Sequence, residues 1–427
     1  MRVLVVSEPG VDGVFRFAEA LCHFLHSEGI QVDLAYSDRR GCDRLTELVA
    51  FVEASGGRTV NLRVANRPTA MDAYALGALL RLVRATKPDI IHSNSSKAGF
   101  LARMLRLVGV RAPQIYQPHA YKGMGPEAGR FDIVYNFTEA VLARFSHTII
   151  VSSGERSFAL DRLRIPPSRL SFLPNGVDSG IFSPASPSEK IRLREELNLP
   201  LHAPVLGFMG RSARQKDPVT LYRAFAAGGA GLPIVLFHVG RGDLDGELGR
   251  ITEDLGIRDR VIRRPYMSTP VDFYRAVDGF ILTSRYEGFS LAALEALACN
   301  LPVILSEVSG NLDLLELPLS HAGRAAPGDI EGFAHCIRSW HGSLSRPGEV
   351  NHRELVRSRH EIRDCFAAVL GLYRVLIGRS TPQASPSPKF GEVPQTGRAA
   401  RAWSFRRARR PSSNGGGSEK LVQEKQS

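Results

Sequence analysis

Hydrophobic positions in the first half of the chain fall into two alternating kinds of run. Short stretches rich in β-branched residues, Arg2–Val6, Val32–Tyr36, Asp89–His92, Gln114–Pro118, His147–Ser152 and Leu170–Pro174, predict strands. Between them, Val14–Glu28, Ala73–Thr86 and Lys97–Val108 space their apolar residues three and four apart, which predicts amphipathic helices. This alternation implies right-handed crossovers and a parallel sheet covered on both faces. The turn-forming Asn175-Gly176-Val177-Asp178 and the Pro-containing Ser183–Pro187 interrupt the pattern, which then restarts. The second series has strands Val205–Met209, Ile234–Val239, Arg260–Arg263, Gly279–Thr283 and Pro302–Leu305, and closes on a helix from about Glu354 to Ile377. The expected architecture is α/β, with two doubly wound domains, 1–178 and 179–378, facing each other across a cleft. Residues 379–427 turn to Ser, Pro, Gly, Gln and Arg without apolar periodicity, which predicts a disordered basic tail.

Composition narrows the function classes. The 427 residues suffice for two or three domains, and 43% hydrophobic with 23% charged residues excludes a collagenous, wholly disordered or multi-span membrane chain. Five scattered cysteines, Cys22, Cys42, Cys299, Cys336 and Cys365, form no C-x-x-C pair and suggest neither a disulfide framework nor a zinc site. The start MRVLVVSEPG lacks the apolar core of a signal peptide, and no stretch approaches the ~18–20 apolar residues of a spanning helix, so a cytoplasmic protein is expected.

A formal charge of +12 points to an anionic partner. Half of it lies in the tail, where nine basic residues face three acidic ones between Thr381 and Ser427. The tail's Arg401-Ala402-Trp403-Ser404-Phe405-Arg406-Arg407 mixes aromatics with arginines and can touch acidic lipid, or stay solvated. In the folded part, Lys97, Arg103, Arg106 and Arg111 interleave with apolar residues, which fits a helix lying on an anionic membrane and equally a crossover helix with a wet basic face. Nucleic acid is not expected as a partner, because no reading module accompanies the charge.

Two segments at predicted strand ends carry candidate chemistry. Tyr286-Glu287-Gly288-Phe289-Ser290-Leu291 follows the strand Gly279–Thr283 and opens a helix at about Leu291, with Ser290 as its N-cap. The unpartnered amides of that helix start form an anion pocket, flanked by Glu287 and Glu295. Gly210-Arg211-Ser212-Ala213-Arg214-Gln215-Lys216-Asp217-Pro218 follows the strand Val205–Met209, and its Arg211 and Lys216 suit a diphosphate. Each segment alone is also explained as a solvated helix start or a basic turn. Other motifs carry less: Asp243-Leu244-Asp245 mimics a metal-gripping D-x-D, Gly240-x-Gly242 lacks the third glycine of a dinucleotide fingerprint, and Ser152, Ser153 and Glu155 read as a capped helix start.

Gly210-Arg211…Lys216 followed about 80 residues later by Glu287…Glu295 resembles the donor-binding half of family-4 retaining glycosyltransferases of GT-B architecture, with two facing Rossmann-like domains. Pro88-Asp89-Ile90-Ile91-His92, Ser95-Ser96-Lys97-Ala98-Gly99, Gln117-Pro118-His119 and Leu173-Pro174-Asn175-Gly176-Val177-Asp178 resemble the same family over roughly residues 1–378, in particular members of bacterial polysaccharide assembly. The resemblance implies a hexosyltransferase moving a sugar with retention from a UDP- or GDP-linked donor to a glycan or polyprenyl-linked acceptor, without cofactor or metal. It implies that Arg211 and Lys216 hold the diphosphate and Glu295 the ribose. Glu287 with the backbone of Gly288, Phe289, Ser290 and Leu291 would hold the sugar and distal phosphate, His119 would face the sugar, and Gly13 would belong to the loop after the first strand. Two departures stand out: single glycines in Gly10-Val11-Asp12-Gly13 where the family pairs them, and Ala120 where many relatives have glycine. A nucleotide-sugar epimerase on the same fold, or a non-catalytic glycan-binding accessory protein, are the alternatives. A polyprenyl acceptor would place the protein peripherally on the inner face of the cell membrane.

Overall fold

Two parallel sheets carry the molecule. In the computed structural model, which describes residues 1–378 except 11, 40, 66–67, 126–129, 268 and 347, the first sheet contains β1 (Arg2–Ser7), β2 (Gln31–Tyr36), β3 (Thr59–Asn61), β4 (Ile90–Asn94), β5 (Gln114–Gln117), β6 (His147–Ile150) and β7 (Leu170–Phe172). Their order is β3-β2-β1-β4-β5-β6-β7. The second sheet holds β8 (Val205–Met209), β9 (Val235–Val239), β10 (Val261–Arg264), β11 (Gly279–Leu282), β12 (Val303–Ser306) and β13 (Gly323–Ala325), in the order β10-β9-β8-β11-β12-β13. Every ladder is parallel. The sheets are those of the expected doubly wound pattern. The two strands the sequence did not announce, β3 and β13, are three-residue edge strands, too short for alternation to register.

Strand order reverses between β1 and β4 in one sheet and between β8 and β11 in the other. A crevice opens at the carboxyl end of each such reversal, because the crossover helices on its two sides lie on opposite faces. The loops after β1, β8 and β11 therefore bring residues 8–10 with 12–13, 210–217 and 283–290 to these crevices, and the loop after β5, one strand beyond β4, carries residues 118–121 beside the first.

The expected single closing helix is two helices, His352–His360 and Ile362–Leu376, broken at Glu361, whose backbone is extended (φ −66°, ψ 126°). The break lets Val177 take up β-type pairing: its N–H donates to the His360 carbonyl at 2.8 Å, and the Ile362 N–H donates to the Val177 carbonyl at 3.1 Å. The last helix then packs on the first sheet, burying Phe366, Val369, Leu370 and Tyr373 with Phe15, Phe17, Leu21 and Ile90. The Tyr373 hydroxyl sits 2.5 Å from Nδ1 of the fully buried His92. Of the expected second domain, 179–378, all six strands share one sheet, while its final helix completes the core of the other half.

The helix expected to present a basic face is turned inward. It spans Ser96–Met104, with a 3-10 turn over Leu105–Val108. Lys97 is buried against Asp72 at 2.7 Å, and Arg103, 1% exposed, pairs with Glu139 at 2.9 Å and stacks 3.9 Å from the Tyr116 ring centroid. Gly99 allows this approach, because a Cβ there would lie 2.3 Å from the Tyr116 ring. The segment is a crossover helix, and only Arg106 and Arg111 keep the solvent face. Residues 379–427, where the tail was expected, lie outside the described residues.

Because Phe366 is almost wholly buried in the first core, Phe366→Ala should destabilise the protein by about 3–5 kcal/mol. Urea denaturation followed by circular dichroism checks this; a loss under 1 kcal/mol would mean the last helix contributes nothing to that core.

Candidate active site

The 210–217 and 283–290 loops are laced together by polar contacts. Thr283, at the end of β11, donates its hydroxyl to the carbonyls of Lys216 (3.1 Å) and Asp217 (2.9 Å), and the Arg285 N–H donates to the Gln215 carbonyl at 2.8 Å. Asp217 has a left-handed backbone (φ 47°), caps the following helix through the Thr220 N–H at 3.3 Å, and accepts from Arg285 Nε at 3.0 Å. Gly240, at the end of β9, permits close approach: a Cβ there would lie 1.9 Å from the Gly210 carbonyl oxygen, and one at Gly242 would lie 2.5 Å from that of Ser212. The Gly-x-Gly pair is thus a packing device for the cationic loop. Asp245 of the D-x-D look-alike pairs with Arg263.

On this frame the candidate side chains converge. Lys216 Nζ lies 2.5 Å from Glu287 Oε1, which also accepts from the Ser284 hydroxyl at 2.6 Å; Glu287 is 6% exposed. The helix Leu291–Ala298 begins where expected, and the Ser290 hydroxyl caps it by accepting from the Ala293 N–H at 3.2 Å. The Phe289 side chain turns into the core of the second sheet and against His360, leaving only its backbone for the pocket.

The first half closes over this arrangement at three places. At Gly288, a Cβ would lie 2.5 Å from the His119 carbonyl oxygen and 2.9 Å from the Ala120 nitrogen, so the two backbones touch. Gly13 faces Leu291: a Cβ there would lie 3.4 Å from Leu291 Cδ1. Arg211 Nε reaches Asp12 at 3.2 Å, an exposed pair of small stabilising value. The structure thus gathers Gly13, His119, Arg211, Lys216, Glu287, Gly288, Ser290 and Leu291 at one locus.

Glu295 is also there, but both of its oxygens already have partners. Arg16 approaches Oε1 at 2.5 Å and the buried Tyr274 hydroxyl donates to Oε2 at 2.8 Å. Arg16 lies one turn into the Asp12–Ser27 helix, so this is an ion pair between the two halves, and its guanidinium also lies over the Phe182 ring. Sequence reasoning did not single out Arg16; its signal was a cation one turn after the loop that follows β1.

His119 occupies a strained turn. Its φ is 56° and that of Ala120 is 131°, both in the region that favours glycine. Nε2 lies 3.0 Å from Asn94 Oδ1, and the ring meets Phe17 edge-on at 4.8 Å. Burial, reinforced by His92, lowers its pKa to about 3, so the imidazole is neutral at physiological pH. It can exchange hydrogen bonds with a sugar and carries no charge.

Behind the turn lies Glu155, which does more than begin a helix. Ser152 does cap that helix, accepting from the Glu155 N–H at 3.2 Å. The fully buried Glu155 carboxylate then accepts from the Val151 N–H at 2.9 Å, and the Ala120 amide lies near enough to favour its charged form. Burial pushes its carboxyl up to about 8; the two backbone donors pull it down, and Asp313 adds to the rise. Ser153 and Gly154, beside it, dock on the second half: the Ser153 N–H donates to Asp313 Oδ2 at 2.8 Å, and a Cβ on Gly154 would lie 2.0 Å from Ser309 Cβ. Gly310 backs Gly288 from the other side, since a Cβ there would lie 2.6 Å from the Gly288 carbonyl. Sequence reasoning passed over Ser309 and Gly310, although they too follow a strand's carboxyl end.

Comparison with known proteins matches the same segments. The family model described as Glycosyltransferase Family 4 matches residues 11–180, and that described as Glycosyl transferases group 1 matches 189–340. A UDP-Gal:alpha-D-GlcNAc-diphosphoundecaprenol alpha-1,3-galactosyltransferase from Escherichia coli is 32% identical over 249 residues, 56% of this chain and 63% of that relative. A D-inositol 3-phosphate glycosyltransferase from Acidothermus cellulolyticus is 28% identical over 85% of each chain. Among solved structures, Anabaena Alr3699/HepE in complex with UDP and glucose superposes with a TM-score of 0.71 at 18% identity, covering 87% of this chain and 98% of that one. WaaG, a glycosyltransferase involved in lipopolysaccharide biosynthesis, gives 0.67 at 14% identity over 88% and 100%. At such identities the structural likeness concerns the fold.

Two outcomes follow from this geometry. Gly288→Ala should cost about 1–3 kcal/mol, because the His119–Ala120 backbone blocks the methyl, whereas Gly246→Ala, in a helix with open space around it, should gain about 0.5–1 kcal/mol; paired thermal melts check both. Glu155 binds its proton more tightly in the folded protein than the ordinary carboxyl value of 4.5, so between pH 4.5 and about 8 rising pH erodes stability through this group. Glu155→Gln keeps the acceptor oxygen and removes the titration, so its melting point should gain on the parent's from pH 5 to pH 8. A constant difference across that range would contradict the assignment.

Proposed function

This chain belongs to the family-4 glycosyltransferases, and from that premise we propose that it transfers a hexose, with retention and without a metal ion, from a UDP- or GDP-linked donor to a glycan or polyprenyl-linked acceptor. One observation carries the reading. Lys216 pairs with Glu287, whose neighbour Gly288 meets the backbone of the His119 turn, and Arg211 and the Leu291 helix start lie on the same two loops, at the carboxyl ends of strands. The sugar would lie between Glu287 and His119, and the diphosphate on the cations and the helix amides. The E. coli relative, by its name, takes a UDP-sugar and a diphosphoundecaprenol-linked acceptor, which favours a uridine donor and a polyprenyl diphosphate here. The division into an acceptor half, 1–178, and a donor half, 179–378, belongs to the same proposal.

In this reaction the acceptor hydroxyl oxygen attacks the anomeric carbon on the face from which the phosphate leaves. The bond from that carbon to the distal phosphate oxygen breaks, its electron pair stays on the phosphate, and the same oxygen takes the acceptor's proton. Charge grows on the leaving diphosphate, so Arg211, Lys216 and the helix amides bind the transition state more tightly than the ground state. Neutral His119 and Glu287 orient the sugar hydroxyls, and Glu295 reaches the ribose after exchanging Arg16 for ribose hydroxyls. The same proposal puts this work in the cytoplasm or on the inner face of the cell membrane, and no described helix is long and apolar enough to cross a membrane.

Lys216→Ala and Glu287→Gln should each lower kcat at least about a hundredfold in a radiolabelled-donor assay, the loss typical of removing one preorganised charge-stabilising group. NMR of the product should show the donor's anomeric configuration, and EDTA should leave the rate unchanged. Near-normal turnover in both variants would sink the reading.

A further inference from the structure

The helix Arg130–Leu142 is amphipathic in the inverted sense. Ile133, Val134, Phe137 and Val141 are 68%, 62%, 70% and 36% exposed, and at 100° per residue they form one stripe about a quarter of the helix wide. No carboxylate interrupts it. The opposite side is fixed to the protein: Glu139 accepts from the buried Arg103 and from the Tyr116 hydroxyl at 3.1 Å, Leu142 is 4% exposed, and Lys122 sits 3.7 Å above the Tyr135 ring. Rolling the helix to hide the stripe would strip Arg103 of its only carboxylate partner among the described residues, so the apolar face is held outward. An apolar stripe costs free energy in water unless something covers it.

We propose that this stripe docks the protein on a lipid bilayer bearing anionic headgroups. Charge identifies the occupant. The exposed cations Lys122, Arg144 and Arg169 lie at this helix: Lys122 on Tyr135, Arg144 in the turn that follows, and Arg169 donating to the Arg144 carbonyl at 2.8 Å. Arg106 and Arg111 sit beyond the neighbouring Ser96–Met104 helix, beside the exposed Leu107 and Val108. None of the five has a carboxylate partner among the described residues. Apolar side chains framed by unpaired cations match acyl chains beneath anionic headgroups. Two copies of the chain meeting on this face would instead bring like charges together. Its apolar area, on the order of a few hundred Å², also falls short of the roughly 800 Å² per partner of a stable protein interface. The surface belongs to the chain segment that begins at the His119–Ala120 turn, so a bilayer there would lie beside the half that faces Glu287. The proposal stands on the stripe and its charges, whatever the reaction.

The test is flotation of the full chain with phosphatidylcholine vesicles, with and without phosphatidylglycerol, comparing the parent with Val134→Ser/Phe137→Ser. The parent should float with the phosphatidylglycerol vesicles and the double variant should partition on the order of a hundredfold less, since each apolar side chain that enters the bilayer contributes about tenfold or more. Circular dichroism melts should be unchanged, because both side chains are exposed. Equal flotation of parent and variant would overturn the proposal, as would a parent that floats with neither vesicle. Light scattering that finds the parent dimeric and the variant monomeric would assign the stripe to a second copy and overturn it too.

Discussion

The rest of the site depends on a contact in which a side chain is missing. Gly288 lies against the His119–Ala120 backbone, which leaves no room for a methyl group, and Gly310 in turn has no room for one against the Glu287–Gly288 backbone. That contact sets the distance between the two sheets at the point where their loops meet. The strained turn at His119 and Ala120 is what the first half presents to it, with the buried Glu155 behind. Backbone contact thereby sets where the charges stand.

Electrostatically the locus is balanced before anything binds. Asp12 faces Arg211, Arg16 faces Glu295 and Lys216 faces Glu287, and two of these pairs join one half of the molecule to the other. On the proposed reading, a diphosphate entering the cleft exchanges partners with cations of which Lys216 is already largely desolvated, and the two halves lose some of what holds them together. The exposed Asp12–Arg211 pair gives way at little cost. The Arg16–Glu295 pair, deeper and backed by Tyr274, resists more. On that reading, donor occupancy and closure of the halves are coupled through the Glu295 carboxylate.

Much of this was legible in the sequence because strand-turn-helix alternation carries its own period. The carboxyl-end rule then pointed to the loops at Arg211–Lys216 and Glu287–Leu291. What was not legible has identifiable physics. The strands at Thr59 and Gly323 have only three residues each, too few for alternation to register. The break at Glu361 is hidden because apolar spacing runs through it, and its cause, β-pairing with Val177, is a contact 184 positions distant. Periodicity gives Lys97 and Arg103 a face but not a direction, and only packing against Asp72, Glu139 and Tyr116 shows that they point inward. Arg16 and Glu155 were unreadable for a related reason: each acts on a group supplied by the far end of another element.

The crossing of the last helix back to the first sheet bears on how the chain is made. Phe366 and Tyr373 fill the core beneath β1 and β4, and Tyr373 is the partner of buried His92. A ribosome that has released the whole first sheet has therefore released an open core, with an imidazole waiting for its hydroxyl. That core can close only after the second sheet, lying between them in sequence, has been synthesised. Folding of the first half is thus tied to completion of the second, and a product cut short by translation arrest would expose the Phe15–Phe17 surface to chaperones and proteases.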